Sequence, residues 1–162
     1  MVSTTLGKTT GAVLLAATLG GLASRPAQSD WYEKLRKPGF QPPRQAFPIV
    51  WPLLYADVAV VSAATVDELD DRGEQSQARV YSVLLALNLL LNGSWTWLFF
   101  SRRKLGASAI AAAALTVSSA DLTRRAVRTR GPRAGVLGAY PLWCAFATLL
   151  SSRIWWLNRS DH

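Results

Sequence analysis

Apolar residues along the chain form long runs, separated by short segments that are rich in charge and proline. A helix needs about 20 mostly apolar residues to cross the hydrocarbon core of a bilayer, with about 17 as a lower limit. Runs of this kind predict helices over about residues 6–24, 46–66, 80–100, 105–122 and 135–157. The sequence therefore predicts an all-α membrane protein, with one domain over residues 1–162 built as a five-transmembrane-helix bundle.

The first run allows two interpretations. A lysine ahead of a short apolar stretch with small residues at its exit resembles a signal peptide. Small residues also recur at every fourth position of this run, at Ala12, Ala16, Gly20 and Ser24. Such a face lets a neighbouring helix approach closely, and a signal peptide does not need it. Retention as a membrane helix is therefore the favoured interpretation.

Composition fits a membrane protein. Half of the residues (50%) are hydrophobic and 17% are charged, and the charges are concentrated in the connections. The formal net charge of +8 comes from Lys and Arg just beyond the apolar runs, where such residues ordinarily meet lipid headgroups. This placement favours a lipid bilayer over nucleic acid as the partner. Basic residues are nearly balanced between the two sides, so they do not predict the orientation.

The sequence supplies few groups for ordinary catalysis. Cys144 is the only cysteine, and His162, the last residue, is the only histidine. An intrachain disulfide, a conventional zinc site and a Ser-His-Asp hydrolase are therefore excluded. Asp57 is the only acidic or basic residue inside the second run. It is either a functional carboxylate or one half of a pair with Arg or a backbone donor of another helix.

Aromatic and amide residues inside three runs follow helical spacing. Intervals of three and four residues place them on one face of each helix. The three faces are Phe47, Trp51 and Tyr55; Asn88, Asn92, Trp95 and Phe99; and Tyr140, Trp143, Ala147, Leu150 and Ser151. Residue by residue, packing between helices is the simpler explanation. Together the faces predict an internal ligand cavity, because an aromatic lining with a few polar groups suits a flat apolar ligand.

A proline-rich segment precedes the second run. Pro38, Pro42 and Pro43 exclude helix and predict a stiff extended loop, whereas Pro48 fits the first turn of the next helix. Pro52 lies deeper in that helix and predicts a kink beside Trp51. The loop is expected to form a lid over the cavity. Its rim would carry four cations suited to a ligand with carboxylates: Lys34, Arg36, Lys37 and Arg44.

Four segments in this order resemble the TspO/MBR family, the tryptophan-rich sensory proteins related to the mitochondrial translocator protein. They are WYEKLRKPGFQPP (31–43), FPIVWPLLY (47–55), LNGSWTWLFF (91–100) and YPLWCAFATLL (140–150). The resemblance implies five transmembrane helices, a homodimer and a cavity that binds protoporphyrin IX or a related tetrapyrrole, with no cofactor required. It also implies a bacterial-type cell membrane rather than an organelle.

The resemblance further implies the ligand-binding residues, by motif position: Tyr32, Trp51, Asn92, Trp95, Trp143, Phe146, Ala147 and Leu150. Helical spacing adds Phe47, Tyr55 and Asn88 to this set. The implied function is a sensor, carrier or regulator of porphyrin levels. The alternative is a light-dependent porphyrin-degrading enzyme, in which Trp51 and Trp143 donate electrons to the excited macrocycle. A passive scaffold with packed aromatics is the third possibility.

The chain also departs from the family pattern. The fourth run contains no aromatic residue, so one wall of the cavity is expected to be wider. Ser151 stands where the family usually has Asn, and Asp57 stands where it is usually apolar. The cholesterol-recognition pattern of animal members is not evident, so no sterol function is implied.

Overall fold

The computed structural model describes residues 4–23, 30–43 and 45–161, and within these ranges the chain is helical with no strand. The α-helices, in chain order, are α1 (Thr4–Ala23), α2 (Asp30–Lys34), α3 (Ala46–Asp71), α4 (Gln75–Thr96), α5 (Leu105–Arg130) and α6 (Ala139–Asn158). A π-helical turn, Trp97–Ser101, continues α4, and a 3-10 segment, Pro132–Gly138, precedes α6. The predicted all-α fold is confirmed.

Four helical segments of the described chain are long and apolar enough to cross a membrane: Ile49–Asp71, Gln75–Ser101, Leu105–Arg130 and Pro132–Asn158. The connections at 72–74 and 102–104 are short, so α3, α4 and α5 run antiparallel to one another. The protein is therefore a multi-pass integral membrane protein. Helix α1 forms, but its crossing of the membrane, and with it the count of five, stays a prediction.

The helices extend further than the apolar runs. Helix α3 continues beyond 66 to Asp71, α4 begins at Gln75 rather than at 80, and α5 continues beyond 122 to Arg130. Hydropathy marks the part of a helix inside lipid, whereas Glu, Gln and Arg continue a helix readily in water. The α-helical part of the last span begins at Ala139, after the 3-10 turns, and not at 135.

Helix α3 continues through both of its proline residues. Pro48 lies in its first turn, as predicted, and Pro52 lies inside the helix without ending it. The kink expected at Pro52 stays a prediction.

Helix α1 packs against α3 and α4, and its buried residues include Thr9 and Val13. Ala12, the first residue of the predicted small-residue face, is exposed. Helical spacing determines which residues share a face, but not which face turns toward a neighbour within the chain, so close packing of a helix on this face stays a prediction. Ser24 and the side chains of Ala16 and Gly20 lie outside the described part of the protein.

The segment 30–43, here called the lid, lies at one end of the bundle. It begins with the short helix α2 and continues without regular structure through Pro38, Pro42 and Pro43. Its backbone is bonded to the end of α6 at Asn158, and its rings contact the end of α4. This end of the bundle, which also includes the 102–104 connection, is called the lid end below.

Candidate functional site

Trp51 lies at the centre of a group of rings that three helices supply. Its indole is stacked on Tyr55 with ring centroids 5.6 Å apart. The centroid of Trp95 from α4 lies 5.9 Å away, and Trp143 from α6 presents an edge-to-face contact at 6.3 Å. Contacts in this range are favourable for aromatic pairs beyond the area that they bury. The three faces predicted from helical spacing therefore meet one another.

One branch of this group reaches the lid through α6. Trp143 is 5.8 Å from Phe47 and 5.3 Å from Phe146, measured between ring centroids. Phe146 in turn lies 6.3 Å from Phe40, a lid residue. The sequence reasoning did not select Phe40, although it lies inside the GFQPP motif, because exposed loop rings do not follow a helical period.

A second branch reaches the lid through α4. Trp95 contacts Phe99 at 6.2 Å, and Phe99 contacts the ring of Tyr32 at 6.2 Å. Tyr32 is buried, and its hydroxyl oxygen accepts a hydrogen bond of 3.0 Å from Gln41 Nε2. We call the rings of both branches, together with Trp51 and Tyr55, the aromatic cluster.

Small and aliphatic residues complete the walls of the cluster. Ala112 of α5 and Ala147 of α6 are buried against Trp95, and Leu150 is buried with Tyr32 and Phe99. Helix α5 contributes no ring to the cluster, in agreement with its sequence. The rings contact one another across the centre, and a separate internal cavity beside Trp51 stays a prediction.

A chain of buried hydrogen bonds begins directly beneath Trp51. Tyr55 Oη donates to Asn92 Oδ1 at 3.0 Å, and Asn92 Nδ2 donates to Tyr140 Oη at 3.1 Å. Tyr140 Oη donates to Asn88 Oδ1 at 2.8 Å. Buried polar groups of this kind are costly unless they are bonded, and here each of the four side chains bonds to a residue of another helix.

Asn88 is saturated by protein groups. Its amide nitrogen donates to Ser118 Oγ and Ser119 Oγ of α5, each at 3.1 Å, while its oxygen accepts from Tyr140. It is fully buried. This arrangement matches the helix-packing interpretation of Asn88, and a ligand contact at this residue stays a prediction.

Three buried polar atoms have no hydrogen-bond partner among the described residues: Trp143 Nε1, Gln41 Oε1 and Asp57 Oδ2. The indole of Trp95, by contrast, donates to Ser151 Oγ at 3.2 Å, so Ser151 satisfies a donor of the cluster in place of the family's usual Asn. Since buried donors are rarely left unpaired, the N–H of Trp143, which has no acceptor among the described residues, sets this indole apart from that of Trp95.

Asp57 lies outside the aromatic cluster. Neither an arginine nor a backbone donor of the described chain bonds to its buried oxygen Oδ2. The structure therefore gives no support at this atom to the interpretation of Asp57 as one half of an ion pair. A functional role for this carboxylate stays a prediction.

Asn158 holds the lid to α6. Its Oδ1 accepts from the backbone N–H of Arg36, and its Nδ2 donates to the backbone carbonyl of Arg36, each at 2.9 Å. The side chain is buried, and it joins positions that are 122 residues apart in the chain. Sequence reasoning missed Asn158, because a single amide at a helix end carries no periodic signal. This bidentate contact fixes one side of the lid.

We expect Asn158→Ala to loosen the lid. Loss of two hydrogen bonds at about 0.5–1.5 kcal/mol each should raise local opening roughly 5–150-fold. Limited trypsin digestion of the protein in detergent measures this effect as faster cleavage after Lys34 and Arg36. Ser160→Ala, an exposed neighbour of Asn158, is the matched control. Equal cleavage rates for Asn158→Ala and wild type would show that the contact does not restrain the lid.

Three of the four predicted rim cations are described by the structure, and they lie on the lid. Lys34 and Arg36 are exposed, and Lys37 Nζ lies 4.3 Å from the centroid of the Tyr32 ring, above its face. Arg44 lies outside the described residues. The lid therefore brings positive charge to the outer edge of the aromatic cluster.

Not every tryptophan belongs to the cluster. Trp97 is 44% exposed, as its position off the helical face predicts, and Arg102 lies 4.6 Å above its ring. Trp155 and Trp156 are exposed near the end of α6. Trp31, a lid residue, is half-buried, and its ring centroid lies 6.4 Å from that of Phe99 at the edge of the cluster.

Fold and site together define a class: a multi-pass helical membrane protein with an aromatic cluster between its helices beneath a lid. Comparison with known families narrows this class further. The TspO/MBR family profile matches residues 9–157, nearly the whole chain, and the protein belongs to this family.

Curated relatives agree with this assignment. The chain is 34% identical over 146 residues to the translocator protein of Bos taurus, covering 90% of this chain and 85% of the relative. It is 32% identical to the tryptophan-rich sensory protein of Cereibacter sphaeroides, covering 88% and 84%. It is 28% identical to the tryptophan-rich protein TspO of Chlorobaculum tepidum, covering 89% and 90%.

Proposed function

We propose that the protein binds a tetrapyrrole of the protoporphyrin type in the membrane and acts as a sensor, carrier or regulator of porphyrin levels. The family resemblance supplies the ligand class, and the chemistry of the aromatic cluster supports it. A porphyrin is flat and apolar over its centre, and it stacks on indole and phenol rings. Its two carboxylates need cations at one edge, where the lid carries Lys34, Arg36 and Lys37.

The observation that carries the proposal is the unpaired indole N–H of Trp143. Trp143 Nε1 is buried, its ring contacts Phe47, Trp51 and Phe146, and no acceptor for it lies among the described residues. A scaffold with no ligand would gain stability from pairing or exposing this donor. Because the rings contact one another, a bound porphyrin would have to separate the edge of Trp143 from the face of Trp51. The macrocycle would enter when the lid loosens.

The light-dependent enzyme remains the second candidate, and one contact favours it. Trp51 and Trp143 touch each other, and Trp51 is also stacked on Tyr55. An excited macrocycle beside Trp51 would take an electron from its indole, and the neighbouring rings offer further donors. Degradation would then need dioxygen as the final oxidant.

Titration of the full-length protein in detergent with protoporphyrin IX tests the proposal. In the dark we expect tryptophan fluorescence to be quenched to saturation at about one porphyrin per chain, because an indole in ring contact with a bound porphyrin loses its emission. Under illumination, a stable Soret band supports binding alone. If light bleaches the Soret band with wild type but not with the variant in which Phe replaces both Trp51 and Trp143, the result supports the enzyme.

The control for this titration is Trp97→Phe, which removes an exposed indole outside the cluster. We expect its porphyrin affinity to equal that of wild type. Absence of saturable quenching in wild type would leave the passive scaffold as the function of the aromatic cluster.

A further inference from the structure

A groove of about 540 Å³ lies between α5 and α6 on the outside of the bundle. Helix α5 lines it with Gly106, Ile110 and Ala113, and helix α6 lines it with Ser152, Arg153 and Trp155. Ile110 is 74% exposed, so this surface faces the surroundings of the bundle and not the aromatic cluster. Because both helices cross the membrane, most of the groove faces acyl chains.

Trp155 lines the groove near the start of α5, and the absence of a side chain at Gly106 leaves room for its indole. A Cβ atom at residue 106 would lie 3.2 Å from Trp155 Nε1, so the indole packs directly on the glycine. Gly106 is the second residue of α5, which places this end of the groove at the lid end of the membrane span. Indole rings favour this depth, where headgroups begin.

The same end of the groove is basic. Arg153 lines it, and the guanidinium carbon of Arg159 lies 3.5 Å from the ring centroid of Trp156, another lining residue. Within the described part of the chain, neither arginine forms an ion pair with a carboxylate. Residues 101–106 and 148–161 contain five basic residues and one acidic residue, Asp161; the basic residues are Arg102, Arg103, Lys104, Arg153 and Arg159.

We propose that this groove binds an anionic phospholipid, with one acyl chain along α5 and α6 and the phosphate at Arg153. A guanidinium presents parallel N–H donors that match two phosphate oxygens. The aliphatic part of an arginine near a helix end lies along apolar surface while its charge reaches the headgroups. On α5 the groove is lined only by glycine, alanine and isoleucine, whose small or aliphatic side chains leave space for an acyl chain.

A second copy of the protein fits this groove less well. In a two-fold dimer within a membrane, both copies have the same orientation, so their lid ends lie side by side. An interface at this groove would bring the basic segments of both copies together, and like charges would repel. The homodimer implied by the family resemblance would therefore use another face of the bundle.

Native mass spectrometry of the full-length protein, extracted from vesicles of equal phosphatidylglycerol and phosphatidylcholine, tests the proposal. We expect one lipid per chain to be retained, with phosphatidylglycerol favoured about fivefold, which is the usual effect of one basic residue near a membrane surface. Arg153→Gln should reduce this preference to nearly equal retention. Arg133→Gln, an exposed substitution at the opposite end of the bundle with the same change of net charge, should keep it.

A second variant tests the groove itself. Ala113→Phe fills the groove from an exposed position and should lower retention of both lipids. Equal retention of the two lipids by wild type, or an unchanged preference in Arg153→Gln, would overturn the proposal. A lipid-free dimer that Ala113→Phe converts to monomer would instead assign the groove to a second copy. Because Arg153 is exposed, its substitution should leave folding intact, which circular dichroism verifies.

Discussion

Trp143→Ala is expected to weaken protoporphyrin IX binding by about 1–3 kcal/mol, roughly 5–150-fold in Kd, the range found when a ring that stacks on a planar heterocycle is removed. Trp143 is the ring through which α6 touches Trp51, so its loss removes both a stacking surface and the unpaired N–H donor. Fluorescence titration of the remaining tryptophans measures the change. Trp97→Ala, on an exposed face, should bind as wild type does.

Trp143→Phe separates the two contributions of Trp143. It keeps an aromatic ring and removes only the indole N–H, so the expected loss is smaller, about 0.5–1.5 kcal/mol for one hydrogen bond. If Trp143→Phe binds as tightly as wild type, the N–H does not meet the ligand. If Trp143→Ala also binds normally, the aromatic cluster is not the porphyrin site.

Tyr140→Phe is expected to destabilise the bundle by about 1–3 kcal/mol without changing its shape. The hydroxyl of Tyr140 accepts from Asn92 and donates to Asn88, so its removal leaves a buried N–H and a buried carbonyl unpaired. Hydrogen bonds between membrane helices contribute about 0.6 kcal/mol on average and up to about 1.7, so two of them give this range. Unfolding by sodium dodecyl sulfate in mixed micelles measures the difference.

Tyr81→Phe is the matched control for this prediction. Tyr81 is equally buried, and its hydroxyl shares a hydrogen bond of 3.1 Å with Ser62. We expect a smaller loss of stability than for Tyr140→Phe, because only one described bond is broken. Equal stability of Tyr140→Phe and wild type would show that the chain of bonds from Tyr55 to Asn88 does not hold the helices together.

Much of the aromatic cluster was predictable because helical spacing is local. Phe47, Trp51 and Tyr55 are four residues apart, so any helix over this segment places them on one face. The same reasoning on α4 and α6 selected Trp95 and Trp143, and the structure brings these rings into contact. The apolar runs likewise predicted the spans, since a bilayer imposes a fixed length on any helix that crosses it.

Contacts between helices were not predictable in the same way. The sequence did not show that the amide nitrogen of Asn88 would donate to Ser118 and Ser119, or that Asn158 would bind the backbone of Arg36. Such pairs depend on the rotation and the relative height of two helices, and no local pattern encodes either. For the same reason, the sequence did not show that Ala12 of α1 would be exposed, since the rotation of α1 against its neighbours decides this.

The amino-acid sequence by itself determined that this protein is a helical membrane protein of the TspO/MBR family with aromatic faces on three helices. Only the tertiary structure decided that the indole of Trp95 is paired with Ser151, while that of Trp143 meets no acceptor in the described part of the chain. It also decided that Gly106 and Arg153 share a groove. The physical reason is that periodicity belongs to one helix, whereas hydrogen-bond partners and grooves belong to the packing of two.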